Sequence, residues 1–316
     1  MPITPIPMLP AYRFGKATPW GGDGLKTFFG KDIPDDRTGE ALEVSVIPGL
    51  NSRDERGTPL EQLIAQLGTR LTGTAVRGEF PLLLKLLNAR DRLSVQVHPD
   101  DVYAREHESK LGKTEAWVIL HAVPGASIIY GVKEGVTREQ LTEASLRGAA
   151  IESLLRRVPV KAGEVYYIPA GMVHAIGEGI TLYEIQQSSD VTYRFYDWER
   201  VDRNGNKRQL HLKDAIAVTD IANQGMAAVP LFLAPGRWQL LRNAHFTLER
   251  WAECRMTLPP EPRRFALLTA LGRTELSWTG GGMELNAGQT VLLPADGVPL
   301  DISTAELLMS YPTVEE

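Results

Sequence analysis

A single stretch, GEVYYIPAGMVH from Gly163 to His174, decides the fold class that we predict for this protein. Its apolar residues at 165–168 form a short strand, and Pro169 and Gly171 then impose a turn. A strand that ends in such a turn directs His174 back towards the mouth of a β-barrel. The stretch therefore predicts a barrel with a histidine at its mouth.

Similar short apolar runs recur along the chain, separated by Gly, Pro and Asn residues. Runs of this length between turn residues are typical of strands. They lie at residues 42–47, 82–87, 93–97, 116–120, 182–185, 265–271, 274–278, 289–293 and 306–311. We therefore predict a mostly β protein.

Helical spacing of apolar residues interrupts this pattern in a few places. Leucines recur at that spacing over residues 60–71, and a further short helix is predicted at 212–218. In front of the first helix, Thr58 and Glu61 have the spacing of a capping box, in which Thr58 is the N-cap. We therefore expect Thr58 to bind the first free backbone N–H groups of that helix.

A second capping box, formed by Thr137 and Gln140, begins another helical region. Beyond it, apolar residues at 151, 154, 155 and 158 continue a helical stripe as far as Pro159, which ends it. Because strands are predicted on both sides, we interpret residues 137–158 as a small helical insert in the β-domain.

The composition of the 316 residues is that of a globular protein. Hydrophobic residues make up 43% and charged residues 23%, which excludes a largely disordered chain and a membrane protein. The formal net charge is −5 and no basic cluster occurs, so we expect no nucleic-acid partner. No apolar run has the length of a signal peptide or a membrane span, which favours a cytoplasmic protein without a membrane partner.

The one cysteine, Cys254, excludes an internal disulfide and a thiolate-rich metal site. Any metal ion must therefore be bound by His, Asp, Glu or amide side chains. The Pro-, Gly- and Asn-containing segment 221–235 resembles a domain boundary. We predict a catalytic domain at 1–225 and a second β-domain at 226–316, and the sequence leaves monomer and homodimer equally open.

A strand with one polar face precedes the histidine turn. In LSVQVHP, which starts at residue 93, the apolar side chains alternate with Ser94, Gln96 and His98. Three polar groups on one strand face are costly inside a protein unless they find partners, and a metal ion with a substrate is one such partner. An ordinary solvent-facing strand surface is the alternative.

The next strand begins with GKTEAW, in which Glu115 is the natural third ligand beside His98 and His174. Two imidazoles and a carboxylate suit Zn²⁺ or another first-row divalent ion, with a position left open for water or substrate. Gln96 is a possible fourth ligand through its amide oxygen. Farther along, Glu184 and Arg194 are candidates to enter the same barrel, although a surface salt bridge is equally compatible with their spacing.

Together these segments resemble type I mannose-6-phosphate isomerase in its short bacterial form, a member of the cupin superfamily. The resemblance extends over nearly the whole chain. It rests on the motifs PWGG from Pro19, TGE from Thr38, FPLLLK from Phe80, LSVQVHP from Leu93, GKTE from Gly112, IYG from Ile129, PAGMVHAI from Pro169 and SDVTYR from Ser189. It implies a cupin (jelly-roll-like) β-barrel followed by a second, degenerate cupin-like domain.

The resemblance also implies the site. One zinc ion per chain would be held by His98, Glu115 and His174, with Gln96 on or beside the metal. The resemblance assigns catalytic roles to Arg194 and Lys113. We expect catalysis of the interconversion of mannose 6-phosphate and fructose 6-phosphate through a cis-enediolate. The substrate would lie near Trp20, Lys85 and Ser94, which fall on motif positions around the sugar phosphate.

The proton-transfer base is the least determined of these roles. Glu184 matches an acidic position of the family pocket and is our candidate, with Lys113 or a metal-bound water as alternatives. The family's GE motif usually continues with tryptophan, whereas Ala41 follows here, so the wall of the pocket differs at that point.

Two other functions compete with the isomerase. An Fe(II) cupin oxygenase uses the same type of ligand set, but His98-Pro-Asp100 lacks the second histidine of the usual HxH pair. The intact metal ligands together with Lys113 and Arg194 argue against a non-enzymatic sugar-phosphate-binding cupin. For His107, His121, His211 and His245 we predict solvated surface positions without a function.

Overall fold

The computed structural model describes residues 1–201, 204–223, 225 and 227–314. Antiparallel strands dominate it, as predicted. The strands are β1 (Ile6–Leu9), β2 (Ala11–Phe14), β3 (Thr38–Val44), β4 (Val46–Ile47), β5 (Leu50–Asn51), β6 (Arg53–Asp54), β7 (Leu82–Ala89), β8 (Val95–Val97), β9 (Glu115–Ala122), β10 (Ser127–Val132), β11 (Leu155–Pro159), β12 (Val165–Ile168), β13 (His174–Ala175), β14 (Ile180–Gln187), β15 (Tyr193–Tyr196), β16 (Leu231–Ala234), β17 (Arg237–Arg242), β18 (Phe246–Leu258), β19 (Ala266–Ala270), β20 (Thr274–Trp278), β21 (Gly281–Leu285), β22 (Thr290–Leu293) and β23 (Leu300–Pro312).

Helices are short and lie between the strands. They are α1 (Gly24–Phe29), α2 (Leu60–Leu67), α3 (Thr69–Thr72), α4 (Asp101–Glu108), α5 (Arg138–Leu146), α6 (Leu212–Val218) and one 3₁₀ helix (Gly148–Leu154). The capping box of Thr137 and Gln140 is present at the start of α5, and the predicted short helix at 212–218 is confirmed as α6.

Two sheets hold the candidate site between them. One has six strands in the order β12-β9-β14-β7-β3-β2, and the other has five in the order β11-β10-β13-β8-β15. Every residue of β14, between β9 and β7, is buried, because one face of this strand meets the core and the other meets the site. The fold is cupin-type and mostly β, but within the described residues no sheet closes into a hydrogen-bonded ring.

A ten-stranded sheet contains most of the later strands and also β1, which pairs with β22 and β6. One hydrophobic cluster joins this sheet to the six-stranded one, since it includes Leu84 and Tyr183 as well as Phe246 and Leu308. The two parts of the chain thus share a core, and the proposed division at residues 225 and 226 remains a prediction.

Two helical predictions are wrong in detail. Thr58 does not cap α2, because Asn51 takes that role: its Oδ1 accepts the Glu61 N–H over 3.1 Å. The apolar stripe at 151–158 is helical only as far as Leu154, and Leu155–Pro159 is strand β11, paired with β10. A stripe this short also fits the alternation of a strand, and the free edge of β10 provides the hydrogen bonds that decide between the two.

Candidate active site

Three neighbouring strands bring His98, Glu115 and His174 together. His98 directly follows β8, His174 begins β13 opposite Gln96 of β8, and Glu115 begins β9 in the facing sheet. Their ligand atoms all lie within 4.8 Å of one another, and all three side chains are buried. His98 Nε2 is 3.3 Å from Glu115 Oε1, and His174 Nε2 is 3.7 Å from Glu115 Oε2.

Both histidines are oriented by backbone carbonyls. His98 Nδ1 lies 2.8 Å from the oxygen of Val191, and His174 Nδ1 lies 2.8 Å from the oxygen of Met172. Since a carbonyl only accepts, each Nδ1 donates and each Nε2 keeps its lone pair for a ligand. Burial, reinforced by the Lys113 charge, lowers the pKa of His98 to about 3, and burial also lowers the pKa of His174. Both rings are therefore neutral at physiological pH.

Glu115 is a fully buried carboxylate. The Lys113 ammonium is its closest charge, with Nζ 2.5 Å from Glu115 Oε1 and 2.9 Å from His98 Nε2. Burial raises the pKa of Glu115, but the charge of Lys113 outweighs it, so the pKa lies well below its usual range. Glu115 is therefore ionised.

This donor set fits a divalent first-row metal ion. Two imidazole nitrogens and one buried carboxylate, with their ligand atoms within 4.8 Å of one another, are the ligands that Zn²⁺ takes in catalytic sites. Gln96 stands beside them, with its Nε2 3.4 Å from His174 Nε2. With the opposite assignment of the amide atoms, the Gln96 oxygen would face the metal position.

A cavity of about 80 Å³ opens beside the triad. Seven residues predicted from the sequence line it, namely Trp20, Lys85, Ser94, Gln96, Lys113, Glu184 and Arg194. A larger cavity of about 170 Å³ lies in the ten-stranded sheet, and its described lining includes none of the predicted site residues. The smaller cavity is therefore the candidate substrate site, because the predicted charged groups line it together with Gln96 and Lys113, which contact the histidines of the triad.

Glu184 is held on one wall of this cavity by two donors. Lys85 Nζ donates to its Oε1 over 2.9 Å, and Trp117 Nε1 donates to its Oε2 over 2.8 Å. Burial, together with the negative charge of Glu115, raises the pKa of Glu184, against the opposing charge of Lys85. A carboxyl group with a raised pKa is suited to accept and return a proton near neutral pH.

Two arginines mark another part of the cavity. Arg194 lies on β15 opposite Gln96, and Arg208 lines the cavity from the loop that follows β15. Within the described residues, Arg194 Nε and Arg208 Nη1 are buried without a hydrogen-bond acceptor, although Asp197 lies 3.7 Å from Arg208. Burial and the neighbouring Arg208 lower the pKa of Arg194 to about 10, so the guanidinium remains charged. Buried donors of this kind favour an anionic ligand.

The sequence did not single out every residue of the cavity. Arg13 and Glu40, 3.4 Å apart across β2 and β3, border it, as do Asp190 and Arg208. Glu40 and Asp190 lie within quoted motifs and were therefore detectable. Arg13 and Arg208 lie in none of the quoted motifs. Each reaches the cavity only because distant segments of the chain come together.

One of the four histidines predicted as functionless surface contacts the site. His211 is half-buried and hydrogen-bonded to the backbone of Arg194. The sequence separation of Arg194 and His211 did not predict this contact, because His211 returns to the edge of β15 only after a long connection.

Known proteins are similar to this chain in both sequence and fold. The model of the phosphomannose isomerase type I catalytic domain matches residues 13–114. A mannose-6-phosphate isomerase from Streptococcus mutans is 43% identical over 239 residues, which are 73% of this chain and 74% of the relative. The crystal structure of the mannose 6-phosphate isomerase from Bacillus subtilis superposes with a TM-score of 0.89 at 31% identity, covering 98% of this chain and 99% of that one.

A more distant structure shares the fold. It is a variant of the phosphomannose isomerase from Salmonella typhimurium, with a TM-score of 0.80 at 16% identity, and it covers 99% of this chain and 100% of that one. Within the described residues no helix is long and apolar enough to cross a membrane. On the similarity to the Streptococcus and Bacillus proteins, this chain belongs to the type I mannose-6-phosphate isomerase family.

Proposed function

We propose that this isomerase interconverts mannose 6-phosphate and fructose 6-phosphate, and that one zinc ion bound by His98, Glu115 and His174 is required. The observation that carries the proposal is the cavity itself. Gln96 and Lys113 line it beside the buried metal-ligand triad, and it is also lined by Arg194 and Arg208, whose buried N–H donors have no acceptor among the described residues. A sugar phosphate needs both features, since one end carries a carbonyl group and the other carries a dianion.

The triad and the arginines together indicate the orientation of the bound substrate. Arg194 and Arg208 are suited to bind the phosphate, because planar guanidinium groups match its oxygens. Lys113 lies among the metal ligands, and C1 and C2 of the sugar would therefore face Lys113 and Gln96. Trp20 and Ser94 border the cavity between these groups as apolar and polar walls.

The reaction moves one proton between C1 and C2 and a second between their oxygens O1 and O2, through a cis-enediolate that carries negative charge on oxygen. When bound, zinc would supply Lewis-acid stabilisation of that charge. Lys113 adds a buried positive charge at the same end. Glu184 is the proposed proton carrier, because it lines the cavity and its raised pKa suits both removal and return of the proton.

Metal analysis combined with a coupled assay tests the proposal. We expect about one zinc per chain, conversion of mannose 6-phosphate to fructose 6-phosphate, loss of activity with a chelator and its return with Zn²⁺. Bound zinc without conversion would instead favour the non-enzymatic sugar-phosphate-binding cupin. Activity that requires Fe(II) and consumes O₂ would favour the cupin oxygenase.

A further inference from the structure

Arg194 belongs to the edge strand of the five-stranded sheet, and a residue outside the sheet holds its backbone. The Arg194 N–H donates to His211 Nδ1 over 3.3 Å, and the Arg194 carbonyl accepts the His211 N–H over 2.9 Å. One residue therefore pairs both backbone groups of Arg194 on the open edge of β15.

This edge is irregular where Arg194 lies. β15 pairs with β8 through Arg194 and Gln96, but the register shifts between Arg194 and Tyr196. A shift of this kind weakens the regular hydrogen bonding of a strand and changes where its side chains point. The direction of the Arg194 side chain therefore depends on the groups that hold its backbone from the other side.

His211 is itself held by the helical part of the molecule. It directly precedes α6, and the Ala215 N–H donates to its carbonyl over 2.8 Å. Arg138 of α5 in turn donates through Nη2 to the carbonyl of Thr219 over 2.8 Å, just beyond the end of α6. The helical insert is thus connected through α6 and His211 to the backbone of Arg194.

We propose that His211 is a positioning residue, which aims the Arg194 guanidinium into the substrate cavity by binding both backbone groups of Arg194 on the open edge of β15. The inference rests on the proposed function, in which Arg194 binds the substrate phosphate. His211 does not itself line the cavity. Its contribution is geometric, and small displacements of a binding group are costly in enzymes.

The bond to the Arg194 N–H requires an acceptor at the place of His211 Nδ1. Asparagine offers a side-chain oxygen at the same distance from its backbone, whereas leucine fills a similar volume without any acceptor. The two substitutions His211→Asn and His211→Leu therefore separate the hydrogen bond from simple packing. His211→Ala provides a second variant without an acceptor.

The test compares these variants in steady-state kinetics with mannose 6-phosphate. We expect kcat/KM to fall about tenfold in His211→Leu and His211→Ala, mostly through a higher KM, and to stay within about twofold in His211→Asn. His121→Leu, a substitution of a partly exposed histidine on β9, is the matched control. Circular dichroism and thermal unfolding identify any variant that does not fold, and either of the two acceptor-free variants is sufficient.

Two results would overturn the proposal: wild-type kcat/KM in a folded acceptor-free variant, or equal impairment of His211→Asn and His211→Leu. If the wild-type protein does not convert mannose 6-phosphate, the proposed function has failed, and binding of inorganic phosphate then decides on His211. Weaker phosphate binding by His211→Leu than by wild type would support positioning of Arg194, and equal binding would refute it.

Discussion

Glu184 has a raised pKa although a lysine donates to it. The Lys85 ammonium stabilises the carboxylate, but burial and the charge of Glu115 act against ionisation and prevail. The pair is buried, so a change at either partner leaves an unpaired polar group in the cavity wall. At this residue, the proposed catalytic function and local stability are therefore linked.

Replacement of Glu184 by Gln removes the proposed proton carrier while it keeps the size of the side chain. We expect turnover to fall by about 10²-fold or more, with little change in zinc content, because general acid–base catalysis contributes on that scale. Glu134→Gln, at an exposed turn, is the control and should keep wild-type rates. Near-normal kcat in a folded Glu184→Gln enzyme would exclude Glu184 as the base.

The pH profile offers a separate check on Glu184. A base must be ionised in the free enzyme, and its raised pKa means that the proton is taken up at a higher pH than by an ordinary glutamate. We expect kcat/KM to decline as the pH falls through this raised pKa and to be level above it. The acid limb should therefore begin above the usual glutamate range of about 4.3. It should be absent from the residual activity of Glu184→Gln.

Glu115 is the one carboxylate of the triad, so metal binding at the proposed site should depend on it. We expect Glu115→Gln to bind zinc at least about tenfold more weakly and to lose activity, as the amide brings no charge to compensate the metal ion. Metal analysis after dialysis measures the loss. Full zinc content in this variant would show that the triad is not the binding site.

Among the elements, helix α2 is capped by a residue of the neighbouring strand β5 and not by Thr58, which the capping pattern indicated. Asn51 of β5 accepts the Glu61 N–H and also donates to the Glu61 carboxylate over 3.3 Å. We expect Asn51→Ala to reduce the free energy of unfolding by about 1 kcal/mol, a typical cost for loss of a cap. Thr58→Ala should change it by less than about 0.5 kcal/mol. Denaturant titration of both variants decides between the two caps.

Sequence patterns predicted those elements that carry their own local signal. Strands β12 and β20 begin and end where their apolar runs do, and the box at Thr137 caps α5. Strand β11 was not predicted, because its residues fit a helix as well as a strand. Only the pairing with β10 decides between these two structures. The ligand triad was detectable because each member stands in a specific motif, whereas Arg208 and His211 reach the site through long connections.

For the whole molecule, the shared core predicts cooperative unfolding. Tyr183 of β14 reaches Ser310 of β23, with 2.6 Å between the hydroxyl oxygens, and both side chains are buried. We expect one calorimetric transition for the chain and a loss of about 1–3 kcal/mol in Tyr183→Phe, because the Ser310 hydroxyl then lacks its partner. The double variant Tyr183→Phe/Ser310→Ala should lose less than the sum of the single variants. Two separate transitions would instead show independent domains at 1–225 and 226–316.

The pairing of β1 with β22 also constrains how the chain acquires its structure. Met8 lies opposite Thr290, so almost the entire sequence separates two neighbouring strands. During synthesis on the ribosome, residues 6–9 emerge long before β22 exists, so the edge of β1 that β22 will occupy remains unpaired in the meantime, although β6 can already pair with the other edge. Contacts of such separation slow folding, and we therefore expect completion of the ten-stranded sheet to be a late step, after the strands around Glu115 and Glu184 have associated.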